Sequence, residues 1–246
     1  MSSNRPLQIS DWFLNGTGVR MFIYYENRIP QDGPVVVVSN HRSFMDPLLL
    51  MKGLRHPIRI ACHHYMSQVP VMREIVDQIG GFPLDTLEKR RYSFLRQATD
   101  LLLSRQWVGI FPEGAQPMVK LTSPNEVGEF QRGFAHLLLR APVHNLAVLP
   151  VAIASEEESV SSALPLRFLR FFDPSEPLFD QAGWHPMVVY SRAKVLVGHP
   201  HWITPKQRQQ YQGKQAKKVV NELTGYCREE IAELLALGSR GDAGMG

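Results

Sequence analysis

The chain has 246 residues, of which 44% are hydrophobic and 20% are charged. These proportions indicate a globular protein with a sizeable core and exclude an intrinsically disordered chain. Basic residues outnumber acidic ones by 27 to 23. The resulting excess suits an anionic partner such as a membrane surface, a phosphorylated substrate or an acidic carrier protein, without identifying one.

The sequence does not indicate a membrane-spanning protein or a secreted one. The most apolar stretch, residues 133–154, is interrupted by Arg140, Pro142 and Pro150, so it lacks the roughly 20 apolar residues of a transmembrane helix. The first residues do not show the basic-then-apolar pattern of a secretory signal. Cys62 and Cys227 are too few for a disulfide framework, which predicts a reducing, cytoplasmic setting.

Residues 1–33 are expected to form an amphipathic N-terminal segment that includes large apolar side chains such as Trp12 and Phe13. If this segment is helical, it either packs on the core or lies in a bilayer interface with its aromatic rings near the headgroups. The sequence leaves both alternatives open, so residues 1–33 are a candidate membrane contact.

Residues 34–238 are predicted to form a single α/β domain with a mixed, mostly parallel sheet covered by helices. The reason is that short apolar runs alternate with longer amphipathic ones. Strands are expected at 35–39, 58–61, 107–111, 146–153 and 195–198.

The helices have recognisable start signals. Residues 85–88 resemble a capping box and predict a helix to about residue 105. Thr204 and Gln207 form a second such box, and the helix that follows has possible interruptions at Gly213 and Gly225. The tail, 239–246, is expected to be disordered.

Residues 164–172 alternate apolar side chains with Arg167 and Arg170. They fit an edge strand protected by charge, or an apolar segment that packs on the core or contacts a membrane. The sequence does not decide between these structures.

The motif that carries chemistry is the stretch SNHRSFMDP at residues 39–47, which directly follows four valines. His41 and Asp46 meet only if the chain bends between them, and Pro47 is expected to bend it at Asp46. The pair would then lie at the carboxyl end of the strand, where open α/β sheets bind ligands. A neutral imidazole held by a carboxylate removes a proton from a hydroxyl. Because no serine or cysteine in a hydrolase context is evident, the pair predicts group transfer to a substrate hydroxyl.

Glu113 ends another predicted strand and is followed by Gly114, which permits a tight turn or a close approach to a ligand. If this strand is parallel to the first one, Glu113 and His41 lie at the same edge of the sheet. Two polar sites are therefore expected to converge there.

These motifs resemble the glycerolipid and lysophospholipid acyltransferases, which include lysophosphatidate and glycerol-3-phosphate acyltransferases. The first block of that family, Asn-His-x4-Asp, is matched by Asn40, His41 and Asp46. The third block, Phe-Pro-Glu-Gly, is matched by Phe111, Pro112, Glu113 and Gly114.

The weaker blocks of the family occur in the same order. Residues 81–86 look like the second block, 149–151 look like the fourth, and 130–135 are similar to a basic-glycine segment that lies between the third and the fourth. The resemblance covers about residues 34–154 and implies a fold like that of glycerol-3-phosphate acyltransferase.

The resemblance implies an enzyme in phospholipid synthesis, with His41 as general base on the acceptor hydroxyl and Asp46 as the residue that orients it. Asn40 and residues 111–114 are implied to bind substrate. The donor would be acyl-CoA or acyl carrier protein, and the acceptor a lysophospholipid, above all 1-acyl-glycerol-3-phosphate. No cofactor and no covalent acyl-enzyme is implied. Another glycerolipid, a neutral acceptor, or a non-catalytic lipid-binding protein of the same fold are the alternatives.

The sequence departs from the family at two positions where arginine is common and holds the acceptor phosphate. Thr86 and Gln116 stand there instead. The candidate substitutes are the basic residues Lys89, Arg90 and Arg91, with His63 and His64 as further candidates.

The remaining constellations predict no further ligand class. Residues 62–64 and 199–201 are rich in histidine, but neither has a second pair at the spacing of a zinc site, so no metal is expected. The basic segments 87–96 and 206–218 are typical of solvated helix faces, and no nucleic-acid partner is predicted. The expected location is cytoplasmic and peripheral on a membrane.

Overall fold

The computed structural model describes residues 4–62, 66, 70–85, 87–114, 116, 121, 123–169, 171, 180 and 182–239. Its strands are β1 (Arg20–Tyr24), β2 (Val35–Ser39), β3 (Ile58–Cys62), β4 (Phe82–Pro83), β5 (Trp107–Ile110), β6 (Ala147–Pro165), β7 (Trp184–Val197) and β8 (His201–Trp202). Its helices are α1 (Arg5–Gly16), α2 (Asp46–Leu54), α3 (Pro70–Gln78), α4 (Leu87–Leu103), α5 (Gly133–Arg140), α6 (Leu166–Leu169), α7 (Pro205–Gln212) and α8 (Ala216–Ser239). A short 3₁₀ helix spans Glu26–Arg28.

The strands form one sheet in the order β1-β7-β6-β2-β5-β3-β4, with β8 also paired to β6. The pairings of β6 with β7 and with β8 are antiparallel. The other pairings are parallel. The α/β fold with a mixed, mostly parallel sheet is therefore confirmed.

Strand β2 lies in the middle of the sheet, and both of its faces are covered. Val36 and Val38 belong to one apolar cluster, and Val35 and Val37 belong to another. Successive side chains of a strand point to opposite faces, so four consecutive valines are what a doubly covered strand requires. Helices α4, α5 and α8 supply side chains to the first cluster, and α1, α2 and α3 to the second.

Strands β6 and β7 are much longer than predicted. Strand β6 runs to Pro165 and β7 begins at Trp184, and the two pair as an antiparallel ribbon with register shifts between Ser155 and Glu157, Glu157 and Glu158, and Ser162 and Pro165. Outside the core the ladder is held by backbone hydrogen bonds, so its polar residues 155–162 do not show the apolar pattern of a buried strand. The edge-strand alternative for 164–172 is wrong for the described residues 166–169, which form α6. Arg170 lies outside the described residues.

The N-terminal segment contributes to both the sheet and one covering layer. Strand β1 lies within residues 1–33 and pairs in parallel with β7. Helix α1 buries Ser10 and Leu14, whereas Trp12 is 77% exposed. Core packing thus accounts for one face of α1 and leaves a tryptophan on the other.

The capping box at Thr204 is present with both of its hydrogen bonds, and Gly213 separates α7 from α8. Gly225 does not interrupt α8, because buried Leu223 and Cys227 hold the helix on the core on either side of it. Thr86, which lies within the predicted capping box at 85–88, and the tail 240–246 lie outside the described residues.

None of the helices in the described ranges is both long enough and apolar enough to cross a bilayer.

Replacement of Leu14 by alanine is expected to lower the free energy of unfolding by about 2–5 kcal/mol, because it removes a fully buried side chain between α1 and the core. The matched change on the exposed face, Trp12→Ser, is expected to stay within about 0.5 kcal/mol. Chemical denaturation measures both. Equal stabilities of Leu14→Ala and the wild type would show that α1 is not part of the core.

Candidate active site

The site lies where the parallel strands β2 and β5 end next to each other. The register pairs Val38 with Ile110, so the residues that follow each strand meet at the carboxyl edge of the sheet. There the backbone N–H of His41 donates to Oε1 of Glu113 at 2.9 Å. The predicted convergence of His41 and Glu113 is therefore present.

His41 and Asp46 are in direct contact. Nδ1 of His41 lies 2.8 Å from Oδ2 of Asp46, and the same oxygen accepts the backbone N–H groups of Arg42 and Ser43 at 2.7 and 2.8 Å. The loop between the two residues thus wraps around one carboxylate oxygen. Short loops whose consecutive N–H groups converge in this way are a common anion-binding arrangement.

The bend that joins the pair comes before Asp46, not at the Asp46–Pro47 bond. The N–H of Asp46 donates to the carbonyl of Ser43 at 3.1 Å, and Oγ of Ser43 accepts the N–H of Met45 at 3.1 Å. Asp46 is already the first residue of α2, with Pro47 in the first helical turn. Proline is favourable there because the first N–H groups of a helix have no partner within it. The predicted position of the bend, at the Asp46–Pro47 bond, is therefore wrong, because the chain bends at residues 43–46.

The second oxygen of Asp46 has a partner from β7. The hydroxyl of Tyr190 donates to Oδ1 at 2.9 Å, and both side chains are buried. Burial and the adjacent carboxylate raise the pKa of Tyr190 well above its usual value, so this hydroxyl keeps its proton and remains a donor. Tyr190 is 144 residues from Asp46 in the chain, and no sequence pattern indicated it.

This arrangement assigns the proton of the imidazole. Asp46 faces donors at both oxygens, which suits an ionised carboxylate because that group has only acceptors. Nδ1 of His41 must then carry a hydrogen, and Nε2 is left as the nitrogen that can accept one. The side chain of His41 is 21% exposed, while that of Asp46 is fully buried. A ligand can therefore approach the imidazole but not the carboxylate.

Phe111 fixes the plane of the histidine ring. The two rings stack with their centroids 4.3 Å apart and an interplanar angle of 19°. One face of the imidazole is thus covered by an apolar ring, so access to the ring is directional.

Glu113 joins three loops. Its Oε1 accepts the N–H of His41, and its Oε2 accepts the N–H of Gly128 at 2.9 Å. Burial raises the pKa of the Glu113 carboxyl, and the two backbone donors oppose that rise. A Cβ on residue 128 would stand 2.7 Å from Oε2 of Glu113, so the close approach depends on Gly128. In this geometry Glu113 holds the backbone of the loop that carries His41 in place.

Gly114 is required by its conformation and by its neighbour. Its φ is +69°, and a Cβ there would clash with the side-chain amide of Gln131. The N–H of Gln131 donates to the carbonyl of Pro112 at 2.8 Å. The turn after β5 and the segment before α5 are therefore packed against each other.

Asn40 has a structural position that the sequence analysis did not predict. Its Nδ2 donates to the carbonyl of Ile153 at 2.9 Å, and its Oδ1 accepts the N–H of Ile153 at 2.8 Å. The side-chain amide thus continues the β2–β6 ladder beyond Ser39. Both polar groups of the Asn40 side chain bond to the backbone, and its role in substrate binding stays a prediction.

Strands β6 and β7 hold the loop between His41 and Asp46 at further points. The guanidinium of Arg42 forms two-pronged hydrogen bonds with Glu158, with contacts of 2.9 and 2.5 Å. The hydroxyl of Ser43 donates to the carbonyl of Val188 at 2.6 Å. The bond to Glu158 raises the pKa of Arg42, and although burial disfavours the Glu158 carboxylate, the bond to Arg42 lowers its pKa.

Of the basic residues predicted to bind substrate, Lys89 is exposed on α4. It borders a cavity of about 590 Å³ that is also lined by Asp85, Tyr92, Ser93, Arg96 and Gln97. Helix α4 follows β4, which is parallel to β3, so this cavity begins at the same edge of the sheet as the pair of His41 and Asp46. The side chains of Arg90 and Arg91, together with Thr86, His63 and His64, lie outside the described residues. Gln116 is exposed.

The second histidine-rich stretch has protein partners. Nδ1 of His199 lies 2.8 Å from Oε1 of Glu230, and Nε2 of His201 lies 2.9 Å from Nε2 of Gln207. Within the described part of the chain, no three His, Cys, Asp or Glu side chains are grouped as metal ligands would be.

Comparisons with known proteins agree with the geometry. A family model described as Acyltransferase matches residues 20–154, which is more than half of the chain. A 1-acyl-sn-glycerol-3-phosphate acyltransferase of Borreliella burgdorferi is 22% identical over 148 residues, which cover 60% of this chain and 55% of that protein. The chloroplastic 1-acyl-sn-glycerol-3-phosphate acyltransferase LPAT1 of Arabidopsis thaliana is 26% identical over 129 residues, 52% of this chain and 34% of that protein. The matched region thus spans about half or less of these relatives.

A solved structure shares the fold. The 1-acyl-sn-glycerophosphate acyltransferase PlsC of Thermotoga maritima superposes with a TM-score of 0.62 at 16% identity, over 96% of this chain and 78% of that one. At this identity the likeness shows the fold.

Replacement of Gly114 by alanine is expected to lower the free energy of unfolding by about 1–3 kcal/mol, because a side chain is strained at this φ. Gly213→Ala is the matched control, since a Cβ there would make only ordinary contacts of 3.7 Å. The double variant Gly114→Ala/Gln131→Ala should recover only the part of the lost stability that comes from the contact with the Gln131 side chain. If Gly114→Ala denatures like Gly213→Ala, the assigned turn geometry is contradicted.

Proposed function

The chain belongs to the acyltransferase family, and we propose that it moves a fatty acyl group from a thioester donor to a hydroxyl of a lysophospholipid, with 1-acyl-glycerol-3-phosphate as the acceptor. His41 is the general base, and Asp46 orients it. The observation that carries the proposal is the contact between Nδ1 of His41 and the buried, fully hydrogen-bonded carboxylate of Asp46.

In the proposed reaction Nε2 of His41 takes the proton of the acceptor hydroxyl as the oxygen attacks the thioester carbonyl. The carboxylate of Asp46 stabilises the imidazolium that forms. Collapse of the tetrahedral intermediate breaks the carbon–sulfur bond, and the proton held by His41 passes to the departing thiolate. The products are the acylated glycerolipid and the free thiol of the donor.

Direct transfer is supported by the state of four candidate nucleophiles, Ser39, Ser43, Cys62 and Cys227. Ser43 is buried and donates its hydroxyl hydrogen to the carbonyl of Val188, and Ser39 is fully buried. Burial raises the pKa of Cys62 to about 12 and that of Cys227 far above the range of a reactive thiol. None of these four groups is placed to form an acyl-enzyme.

The acceptor phosphate is proposed to bind at the basic start of α4, where Lys89, Arg90 and Arg91 were predicted to replace the arginines that are common elsewhere in the family. The cavity bordered by Lys89 and Arg96 at the catalytic edge supports this assignment. The names of the two curated relatives supply the acceptor class, 1-acyl-sn-glycerol-3-phosphate. The donor is proposed to be acyl-CoA or acyl carrier protein, and the proposed reaction uses no cofactor or metal.

The protein is proposed to work at a membrane surface from the cytoplasmic side. Trp12 is 77% exposed on α1, and its neighbour Phe13 packs edge-on against Phe44, with ring centroids 6.3 Å apart. Phe44 is 50% exposed and lies between His41 and Asp46. An interfacial helix that contacts the catalytic loop would bring a membrane-held acceptor to the base.

A lipid-binding protein of the same fold without turnover is the alternative. The test is acyl transfer by the purified protein from acyl-CoA and from acyl carrier protein to lysophosphatidate, glycerol 3-phosphate, other lysophospholipids and monoacylglycerol. Transfer to lysophosphatidate is expected, and His41→Ala should lower kcat by about 100-fold or more, because the base is removed while the binding groups stay.

The matched control is His144→Ala, which changes an exposed histidine in the loop between α5 and β6. Transfer by His41→Ala at the wild-type rate would contradict the assignment of the base. Lipid binding without transfer to any acceptor would favour the alternative, and preference for monoacylglycerol would refute the phosphate-bearing acceptor.

Trp12→Ser is expected to weaken flotation with anionic phospholipid vesicles severalfold, because it removes a large aromatic side chain from the exposed face of α1. Trp202→Ser is the matched control, since Trp202 is 51% exposed but lies on β8, which pairs with the first residues of β6. Equal flotation of the two variants and the wild type would contradict the proposed contact.

A further inference from the structure

Strands β6 and β7 continue beyond the end of β2 as an antiparallel ribbon that lies against the catalytic loop. The pairing of β2 with β6 ends at Ser39 and Val151, whereas β6 and β7 stay paired to Pro165 and Trp184. The ribbon contacts the loop through its two strands, by Glu158 on Arg42 and by Tyr190 on Asp46.

These two ribbon residues face the loop together because of the strand register. Glu158 and Tyr190 are direct partners across the β6–β7 ladder, and directly opposed residues of an antiparallel pair project to the same face. That face meets the loop between His41 and Asp46. The position of the carboxylate is therefore set by a strand from the far end of the chain as well as by its own helix.

We propose that Tyr190 is a positioning residue for the catalytic pair, and that its hydroxyl fixes the orientation of the Asp46 carboxylate and sets the pH at which His41 accepts a proton. The inference rests on the proposed role of His41 as base, but it concerns a contact that neither the family motifs nor the sequence analysis assign.

The first part of the inference follows from geometry. Oδ2 of Asp46 is bonded to His41 and to the loop backbone, and Oδ1 is bonded to Tyr190, so the carboxylate cannot rotate without breaking a bond at each end. Because Asp46 is fully buried, water cannot replace a lost donor without entering the core. The direction in which Oδ2 points at Nδ1 is thus determined from both sides.

The second part follows from charge. A hydrogen bond from Tyr190 draws part of the negative charge to Oδ1, which weakens the attraction between Asp46 and a protonated His41. Loss of the bond leaves a more basic carboxylate, which holds the imidazolium more strongly. The proton affinity of His41 should therefore rise when the hydroxyl is removed.

Other charged or titratable groups surround the pair and remain in place when Tyr190 changes. They are Glu113 after β5, which accepts the His41 N–H, Arg42 with Glu158 on β6, and His185 on β7. The pKa of His185 is lowered mainly by burial, with a smaller contribution from the charge of His41, so its titration has to be followed separately.

The test is Tyr190→Phe, which removes one oxygen and keeps the ring. The midpoint of the His41 imidazole titration, followed by NMR, is expected to rise by on the order of one pH unit. In the transfer assay the acid limb of kcat/KM should move to higher pH by the same amount, and kcat at neutral pH should fall about tenfold while the donor KM stays within about twofold.

Tyr226→Phe is the matched control, because it also removes a tyrosine hydroxyl that donates to a protein acceptor, the carbonyl of His199, on the remote helix α8. It should leave both pH profiles unchanged. A shift confined to Tyr190→Phe supports the proposal. The proposal is overturned if Tyr190→Phe lowers only thermal stability, or if its His41 midpoint equals that of the control.

The titration does not depend on turnover, so the two claims fail separately. An absence of acyl transfer in the wild type together with a raised His41 midpoint in Tyr190→Phe would refute the proposed function and keep the positioning role. Transfer in the wild type with no change of midpoint or pH profile in the variant would support the proposed function and overturn the positioning role.

Discussion

The site depends on the burial of one carboxylate, Asp46, among hydrogen-bond donors. A buried carboxylate is costly unless its oxygens are satisfied, and here the loop backbone, the imidazole and a tyrosine hydroxyl satisfy them. The loop must therefore curl around Asp46, and this curl brings His41 against the carboxylate. The contact between the two side chains thus follows from the local folding of the loop.

A second buried carboxylate, that of Glu113, is bonded to the backbone instead of to a side chain. Its two oxygens accept backbone N–H groups, one from His41 in the loop after β2 and one from Gly128. Asp46 is bonded to the imidazole and orients it, whereas Glu113 is bonded to the backbone and positions the loop that carries it. Both acidic residues of the motifs thus position the same histidine, Glu113 through its backbone and Asp46 through its ring. Phe111 stacks on that ring and limits its orientation.

The parts of this arrangement that the sequence predicted are local. Strand β2 was predicted to the residue, because four valines buried on alternate faces leave little freedom, and the order of motifs placed His41 and Glu113 at one edge. The contacts that were not predicted come from residues far from the loop in the sequence. Tyr190 and Glu158 reach the loop only because β6 and β7 extend as a ribbon whose polar sequence lacks an apolar period. The bonds between the Asn40 side chain and Ile153 were not predicted, because the sequence does not show that a motif residue extends the sheet.

In the proposed mechanism Asp46 holds His41 with its proton on Nδ1, so that Nε2 is the base. The NMR shifts of the two ring nitrogens of His41, recorded at neutral pH in the wild-type protein, test this directly. We expect a protonated Nδ1 and an unprotonated Nε2. A hydrogen on Nε2 with a bare Nδ1 would contradict it, because the nitrogen that faces the carboxylate would then be the basic one.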